Sequence, residues 1–312
     1  MTASSRDLAA LYDTQLRLFA AGFDLRNNGR YRSAYRLDEF FFELVGLCAP
    51  ALFIEAGAFE ADASRRVKRR CPAARVVAFE ANPYNYAHFT STIDYAAEGV
   101  EYVERALTDE PGTVTFHLAR EHGGRDVGQV AGSHSLKQRD VDILGQPLTG
   151  ATEEVSVEGV TLDGFFPEVT GPVAMWVDVE GASREVLTGG PGVLRQCAVL
   201  KIEVEERQWW RDQWLSLEVI EHLVEAGLVP IARDVPGVGQ FNLVCVGGDF
   251  AHSEAFRSAH ERYAREAVRP ELPGLIGRVR RSERVRSAAR AARAARTALA
   301  KVTDSSRRSD AP

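Results

Sequence analysis

Two carboxylates, each at the end of a short apolar run, are the first residues in this sequence whose spacing suggests chemistry. Glu55 ends the run in "ALFIEAG", and Glu80 ends the run in "RVVAFEANP" 25 residues later. Short apolar runs that stop at turn residues predict buried strands, and ligands of open α/β sheets bind where such strands end. A carboxylate at the end of the second strand can accept both hydroxyls of a ribose. The pair therefore predicts a nucleoside site.

The turn after Glu55 distinguishes between two cofactors that contain a nucleoside. It reads Glu-Ala-Gly-Ala-Phe-Glu-Ala, and Gly57 would let a ligand approach the backbone closely. An NAD site needs G-x-G-x-x-G, so that helix N–H groups face a pyrophosphate. Two acidic side chains would repel those phosphates, but they suit S-adenosylmethionine, which is cationic and carries no phosphate. Taken singly, Glu55 could instead be a charge at a helix N-terminus, and Glu80 an ordinary strand-end residue.

Asp178 and Glu180 are the candidates for a catalytic base, and they follow the apolar run "VAMWV". Reaction at a hydroxyl is helped by a base that takes the proton as the new bond forms. Two acids this close could also bind Mg²⁺, which would lower the pKa of the hydroxyl. Glu180 could equally cap a helix that begins near residue 182. His134, in "GSHSL", is a third candidate because its free pKa lies near neutrality, although a loop histidine is more often only solvated.

Acidic and aromatic residues follow the next apolar run and could line the side of the site that receives the acceptor. Glu203 and Glu205 close the run in "LKIEVEE", and "RQWWRDQW" comes directly after it. Aromatic rings suit a sugar or an apolar macrocycle, and the alternative is that the tryptophans pack beneath the next helix.

The elements that would position these residues alternate between helices and strands. Residues 6–48 have helical spacing with a break at 27–29, which predicts two or three helices. Strands are predicted at 51–56, 75–80, 100–104, 173–178, 198–204, 228–232 and 241–246. Helical spacers between strands predict a mostly parallel, doubly wound α/β sheet. The connection "RDVPGVGQ" is too short for a crossover helix, so the last strand should pair antiparallel. Residues 119–151 have little periodicity and form a candidate lid.

Composition and charge exclude several other classes of protein. The chain has 312 residues, of which 45% are hydrophobic, enough for a substantial core. Its four cysteines show no C-x-x-C spacing, which argues against a zinc knuckle or a redox pair. Residues 275–301 carry a net charge of +8 and the rest of the chain −14, so we expect no nucleic-acid binding by the body. No signal peptide or long apolar run is evident, which predicts a cytoplasmic protein.

Six motifs, in this order, resemble the FkbM family of S-adenosylmethionine-dependent methyltransferases: "FIEAGAFEADA", "VVAFEANPYNYAHF", "ALTDEPGTVTF", "GSHSL", "VTLDGFF" and "MWVDVEGASREVLTGGPGVL". The most diagnostic segment is "VDVEGASREVL". The resemblance spans residues 51–246 and implies a class I methyltransferase fold, Rossmann-like, with a seven-stranded sheet whose last strand is antiparallel. It also implies that S-adenosylmethionine is the cofactor.

By position, the resemblance implies roles for individual residues. The catalytic candidates are Asp178, Glu180 and His134. The implied cofactor-binding residues are Glu55, Gly57, Ala58, Glu80, Ala81, Asn82, Ala106, Asp109, Ser133 and Ser135. Three positions depart from the family pattern: the usual Asp is Glu55, the glycine that opens the helix is Ala61, and a usual Lys is Trp176. The last change removes a cation near the site.

These features together predict an enzyme that methylates a hydroxyl of a sugar, a glycan or another natural product, with Mg²⁺ as a further candidate cofactor. The alternatives are an NAD-linked oxidoreductase and a non-catalytic binding protein that uses its basic tail. The predicted organisation is an N-terminal helical extension (1–50), a methyltransferase domain (51–250), a linker or helix (251–274) and a basic Ala/Arg-rich tail (275–312). The tail predicts a basic helix with weak affinity for an anionic membrane surface. The sequence does not indicate the oligomeric state.

Overall fold

The computed structural model describes residues 3–26, 28–119, 121–122, 125–126, 128–139, 152–235, 237 and 239–268. The helices are α1 (Ser5–Ala20), α2 (Gly29–Cys48), α3 (Asp62–Arg70), α4 (Pro83–Thr90), α5 (Leu162–Phe165), α6 (Ser183–Thr188), α7 (Pro191–Arg195), α8 (Ser216–Glu225) and α9 (Glu254–Ala267), with a 3₁₀ turn at Gly248–His252. The strands are β1 (Leu52–Ala56), β2 (Arg75–Glu80), β3 (Glu101–Glu104), β4 (Ala106–Leu107), β5 (Gly112–Ala119), β6 (Glu121–His122), β7 (Arg125–Asp126), β8 (Thr152–Val160), β9 (Val173–Val177), β10 (Cys197–Glu205), β11 (Leu228–Arg233) and β12 (Gln240–Gly247).

Seven strands form the main sheet in the order β11-β12-β10-β9-β1-β2-β3. The pairs β1–β2, β2–β3, β1–β9 and β9–β10 are parallel, and β12 is antiparallel to both β10 and β11. This order and these directions confirm the predicted class I methyltransferase sheet with an antiparallel last strand. The strand order reverses at β1, so the crevice between the ends of β1, β2 and β9 is the expected place for a ligand.

The central strands are apolar because helices cover both faces of the sheet. Every residue of β1 and of β9 is buried. One apolar cluster lies with α2, α3 and α9, and a second lies with α6, α7 and α8. The two N-terminal helices, which the helical spacing predicted, contribute buried side chains to these clusters, including Phe41 from α2 and Leu16 from α1. The division of the chain at residues 50, 250 and 274 stays a prediction.

A second, three-stranded sheet in the order β4-β8-β5 lies outside the predicted elements. Strands β5 and β8 pair antiparallel over their full lengths, from Gly112 opposite Gly159 to Ala119 opposite Thr152. The sequence analysis predicted neither strand. Their alternation of exposed and partly buried residues is the pattern of a half-buried strand, so the signal was present.

Two predicted segments lie wholly or partly outside the described residues. Of the candidate lid, residues 128–139 are described, and residues 140–151 are not. The basic tail at 275–312 also lies outside them. Among the residues that are described, none of the helices is long and apolar enough to span a membrane.

Candidate functional site

A cleft opens at the carboxyl ends of β1, β2 and β9, and seven of the predicted site residues line it. These are Gly57, Glu80, Ala81, Ala106, His134, Asp178 and Glu180. Phe59, Asn85, Arg105, Phe116 and Leu136 also line it. Glu80 at the end of β2 and Asp178 directly after β9, almost a hundred positions apart in sequence, therefore face one space.

The turn after β1 requires glycine at position 57. Gly57 has a φ of +74°, and a Cβ atom there would lie 1.9 Å from the carbonyl oxygen of Asp178. The N–H groups of Gly57 and Ala58 both donate to the carbonyl oxygen of Phe79, which joins the turn to β2. Ala61 has a φ of +54°, which explains why glycine is usual at this position in the family. The turn thus brings β1, β2 and β9 close together.

Glu55 supports the turn and does not line the cleft. Its side chain is 1% exposed, and its Oε2 atom accepts a hydrogen bond of 2.7 Å from the backbone N–H of Ser64, in the first turn of α3. A carboxylate at this end of a helix satisfies an otherwise unpaired N–H group and complements the helix dipole. Ala58 is likewise buried and is not among the residues that line the cleft.

Glu80 is held in the cleft by three hydrogen-bond donors. Its Oε2 atom accepts from the N–H of Phe59 (2.7 Å), and its Oε1 atom accepts from the N–H of Asn82 (2.8 Å) and from Nδ2 of Asn85 (3.3 Å). Burial raises its pKa to about 7 in spite of these donors. The carboxylate is therefore fixed in orientation before any ligand binds.

Two asparagines at the start of α4 connect Glu80 to the segment 128–132. Asn82 caps α4 by accepting from the N–H of Tyr84, and its Nδ2 donates to the carbonyl oxygen of Gln129 at 2.8 Å. Asn85 donates to the carbonyl oxygen of Ala131 at 3.0 Å. Asn82 does not line the cleft, whereas Asn85 does. The sequence analysis missed Asn85, although an asparagine three residues after a helix cap lies on the same face of the helix.

Four carboxyl groups meet where β9 and β10 end. One oxygen atom each of Asp178, Glu180 and Glu203 lie within 4.8 Å of one another. Burial, followed by the charges of its acidic neighbours and a hydrogen bond with Asp178, raises the pKa of Glu203 well above its usual value. Burial, followed by the charge of Asp178, raises the pKa of Glu205 to about 7. A hydrogen bond between two carboxyl groups needs one proton, so Glu203 and Asp178 share one proton when this contact forms.

Glu180 lies in a strained turn that Ser135 holds. Its φ is +51°, which is uncommon for a residue with a side chain. The hydroxyl of Ser135 donates to the carbonyl oxygen of Glu180 (2.6 Å) and accepts from the N–H of Lys137 (2.9 Å). Ser135 thus joins the backbone at Lys137 to the turn at Glu180. Neither Ser135 nor Ser133 lines the cleft. The N-cap residue of α6 is Ala182.

His134 lines the cleft, but one of its ring nitrogens is engaged by the backbone. The Nδ1 atom accepts a hydrogen bond of 3.1 Å from the N–H of Ala119. A nitrogen that accepts carries no proton, so the neutral ring carries its proton on Nε2. This arrangement makes His134 a donor and leaves Asp178 better suited to act as a base.

The remaining candidates separate into those near the cleft and those that pack elsewhere. Ala106 lines the cleft, whereas Asp109 is exposed and outside it. Trp209 and Trp210 are buried and Trp214 packs near the ring of His222, which agrees with the packing interpretation of the tryptophans. The Nζ atom of Lys201, in the neighbouring strand, lies 3.5 Å from the centre of the Trp176 ring, and neither residue is among those that line the cleft.

The model of the methyltransferase FkbM domain matches residues 45–229, more than half of the chain. The 2-O-methyltransferase NoeI of Sinorhizobium fredii is 23% identical over 175 residues, which cover 55% of this chain and 70% of NoeI.

Two solved structures show the level of structural similarity. The methyltransferase FkbM from Methylobacillus flagellatus is 11% identical, with 63% of this chain and 44% of that chain covered and a TM-score of 0.37. An O-methyltransferase from Bacillus cereus in complex with SAH is 12% identical, with 79% and 92% covered and a TM-score of 0.36. The assignment of the fold therefore rests on strand order and direction, and the assignment of the family on the domain match. The chain belongs to the FkbM methyltransferase family.

Proposed function

We propose that this protein uses S-adenosylmethionine to methylate a hydroxyl group of a glycan, another sugar or a natural product. The observation that carries the proposal is the pairing, in one cleft, of a pre-oriented carboxylate at Glu80 with the acidic side chain of Asp178. The first suits a nucleoside and the second suits an acceptor that must lose a proton. Family membership argues against the NAD-linked alternative.

The residues present fit the nucleoside end of this cofactor. Glu80 offers acceptor atoms to ribose hydroxyls, while Gly57, Ala81 and Ala106 present little bulk to the same cleft. The acidic side chains around Asp178 suit a cationic ligand. When bound, S-adenosylmethionine supplies a methyl group that its sulfonium already activates.

The chain's own contribution to the chemistry is then to position the acceptor and remove its proton. Asp178 takes the proton from the acceptor hydroxyl, while the hydrogen bond with Glu203 orients the Asp178 carboxyl group. His134 donates a hydrogen bond from Nε2 and helps to place the acceptor. Oxygen as the methylated atom is supported by the similarity to NoeI, a 2-O-methyltransferase.

A divalent cation is the second candidate for the same acidic residues. The three carboxylate oxygens within 4.8 Å of one another are of the type that Mg²⁺ prefers as ligands. In that case Asp178, Glu180 and Glu203 would hold Mg²⁺, and the metal would lower the pKa of the acceptor hydroxyl. Activity that EDTA removes and Mg²⁺ restores would favour this reading over a metal-free base.

The test combines cofactor binding with a search for the acceptor. Calorimetry should show that wild-type protein binds S-adenosylhomocysteine, and mass spectrometry of a panel of glycans and small alcohols should show the mass increment of methylation. Asp178→Asn keeps the shape of the side chain and removes its basicity, so we expect turnover to fall about 10²- to 10⁴-fold with cofactor affinity nearly unchanged. Glu180→Gln is the matched control.

Three experimental outcomes would contradict different parts of the proposal. Wild-type protein that does not bind S-adenosylhomocysteine would contradict the cofactor assignment. Cofactor binding without any methylated product would favour the non-catalytic binding role. Near wild-type turnover of Asp178→Asn, together with loss of turnover in Glu180→Gln, would move the base to Glu180.

A further inference from the structure

Asn85 carries a buried acceptor atom that the hydrogen bonds of the free protein do not use. The residue is 2% exposed, lies in α4 and lines the cleft. Both protons of its Nδ2 atom have acceptors: Oε1 of Glu80 at 3.3 Å and the carbonyl oxygen of Ala131 at 3.0 Å. Its Oδ1 atom has no hydrogen-bond partner among the residues that the structure describes.

The orientation of the amide follows from these contacts. The carbonyl oxygen of Ala131 can only accept, as can the ionised carboxylate of Glu80, so turning the amide over would place oxygen against oxygen. The Oδ1 atom must therefore point away from Glu80 and Ala131. A buried acceptor without a donor is destabilising, and native proteins leave few such atoms. An unsatisfied atom in a residue that lines a ligand cleft points to a donor on the ligand.

The hydrogen bonds of Glu80 indicate which donor this is. A carboxylate has about four acceptor sites, and the donors Phe59, Asn82 and Asn85 already occupy three of them. About one site is left on Glu80 for a ligand. A ribose brings two hydroxyl donors, so its second hydroxyl needs another acceptor nearby.

We propose that Oδ1 of Asn85 accepts one ribose hydroxyl of the cofactor while Glu80 accepts the other. The inference rests on the proposed cofactor. Asn85 thereby binds the ligand directly, keeps Glu80 oriented, and holds the segment 128–132 against the cleft through Ala131. The nucleoside is recognised by two residues from consecutive elements, β2 and α4.

The test removes the two hydroxyls one at a time and asks whether Asn85 responds. Calorimetry with S-adenosylhomocysteine and its 2′-deoxy and 3′-deoxy analogues is done on wild-type protein and on Asn85→Ala. In wild-type protein each analogue should bind about threefold to tenfold more weakly. In Asn85→Ala, one of the two analogues should bind as tightly as S-adenosylhomocysteine, because the hydroxyl that it lacks no longer has its acceptor on Asn85. The other analogue should still bind more weakly than S-adenosylhomocysteine.

Asn82→Ala is the matched control, since it removes a contact to the same segment from a residue that does not line the cleft. It should reduce the affinity for all three ligands by one common factor. The same common factor in Asn85→Ala would overturn the proposal and leave Asn85 with a structural role. Asn85→Ser, checked for folding by circular dichroism, repeats the measurement if Asn85→Ala does not fold.

A fourth ligand separates the ribose from the adenine. The inosine analogue of S-adenosylhomocysteine lacks the exocyclic amino group, which is the other strong donor of the nucleoside. The ribose assignment would be wrong if, in Asn85→Ala, the inosine analogue bound as tightly as S-adenosylhomocysteine while both deoxy analogues still bound more weakly. If wild-type protein bound none of the four ligands, the proposed cofactor would fail first.

Discussion

Glu80 is a carboxylate whose environment opposes its charge in the free protein. Burial raises its pKa to about 7, although three hydrogen bonds act in the opposite direction. Because the folded-state pKa lies above the unfolded value of about 4.5, this group disfavours folding increasingly between about pH 4.5 and pH 7. A ligand whose hydroxyl donates a hydrogen bond to the ionised Glu80 carboxylate binds only after Glu80 has lost its proton. The affinity for such a ligand should therefore depend on pH.

Cofactor affinity should therefore rise with pH across the pKa of Glu80. Between pH 6 and pH 8 the ionised fraction of a group with a pKa of about 7 increases from about 0.1 to about 0.9, so the affinity for S-adenosylhomocysteine should increase by up to about tenfold. Calorimetry at both pH values measures this. Glu80→Gln should bind S-adenosylhomocysteine more weakly, and its affinity should depend much less on pH. An undiminished dependence in Glu80→Gln would assign it to another group, such as Glu205.

Part of the site was predictable at the level of single residues because strand ends have local signals. Glu80 and Asp178 each follow an apolar run, and both line the cleft. The supporting role of Glu55 depends on the N–H of Ser64 in α3, and the position of His134 depends on the N–H of Ala119. Such contacts join residues that are distant in sequence or on opposite sides of a turn. No local pattern fixes them.

At the level of elements, the main sheet was predictable and the second sheet was missed. The seven main strands have nearly continuous apolar runs because helices cover them on both sides. Strands β5 and β8 are mostly exposed on one side, so their alternating residues read as loop when only apolar runs are counted. The second sheet matters for the site, since Phe116 and the backbone of Ala119 come from β5.

Helix α2 is tied to the main sheet by a buried ion pair. The Nζ atom of Lys201, in β10, lies 3.0 Å from Oδ1 of Asp38, in α2. The same ammonium lies over the ring of Trp176 in the neighbouring strand β9. The Lys201 side chain is 3% exposed and that of Asp38 is 21% exposed. The two partners should therefore respond differently to removal of the other.

We expect Asp38→Asn to destabilise the protein more than Lys201→Met. The first leaves an ammonium buried with a weakened partner, which costs about 3 kcal/mol or more. The second leaves the Asp38 carboxylate, which water can reach, and raises the pKa of the buried Asp234, which can then take up a proton. Urea unfolding of both variants and of the double variant gives the free energies of unfolding and the coupling between the two residues. A larger loss in Lys201→Met, or additivity in the double variant, would contradict this account of the pair.

At the scale of the whole molecule, topology assembles the cleft from distant parts of the chain. Strand β1 lies between β2 and β9, where the strand order reverses, so Gly57, Glu80 and Asp178 reach one crevice. The carboxyl groups at the end of β10 have raised pKa values, and a cationic ligand would favour their ionised forms. This concentration of acidic groups agrees with a body that carries −14 and suits a cationic cofactor.

The basic tail is the counterpart of that acidic body, and its role stays a prediction. Residues 275–301 carry +8, with apolar positions that are mostly alanine, too small to bury much surface. Deletion of 275–312 should therefore leave the thermal unfolding midpoint and the affinity for S-adenosylhomocysteine unchanged. Binding to anionic liposomes should decrease, and in the full-length protein it should weaken as salt screens the charges.

Aggregation or lost cofactor affinity in the truncated protein would show that the tail belongs to the fold. If the full-length protein did not bind such liposomes even at low salt, the membrane interpretation would fail, and binding to a protein partner would be the remaining function for this charge.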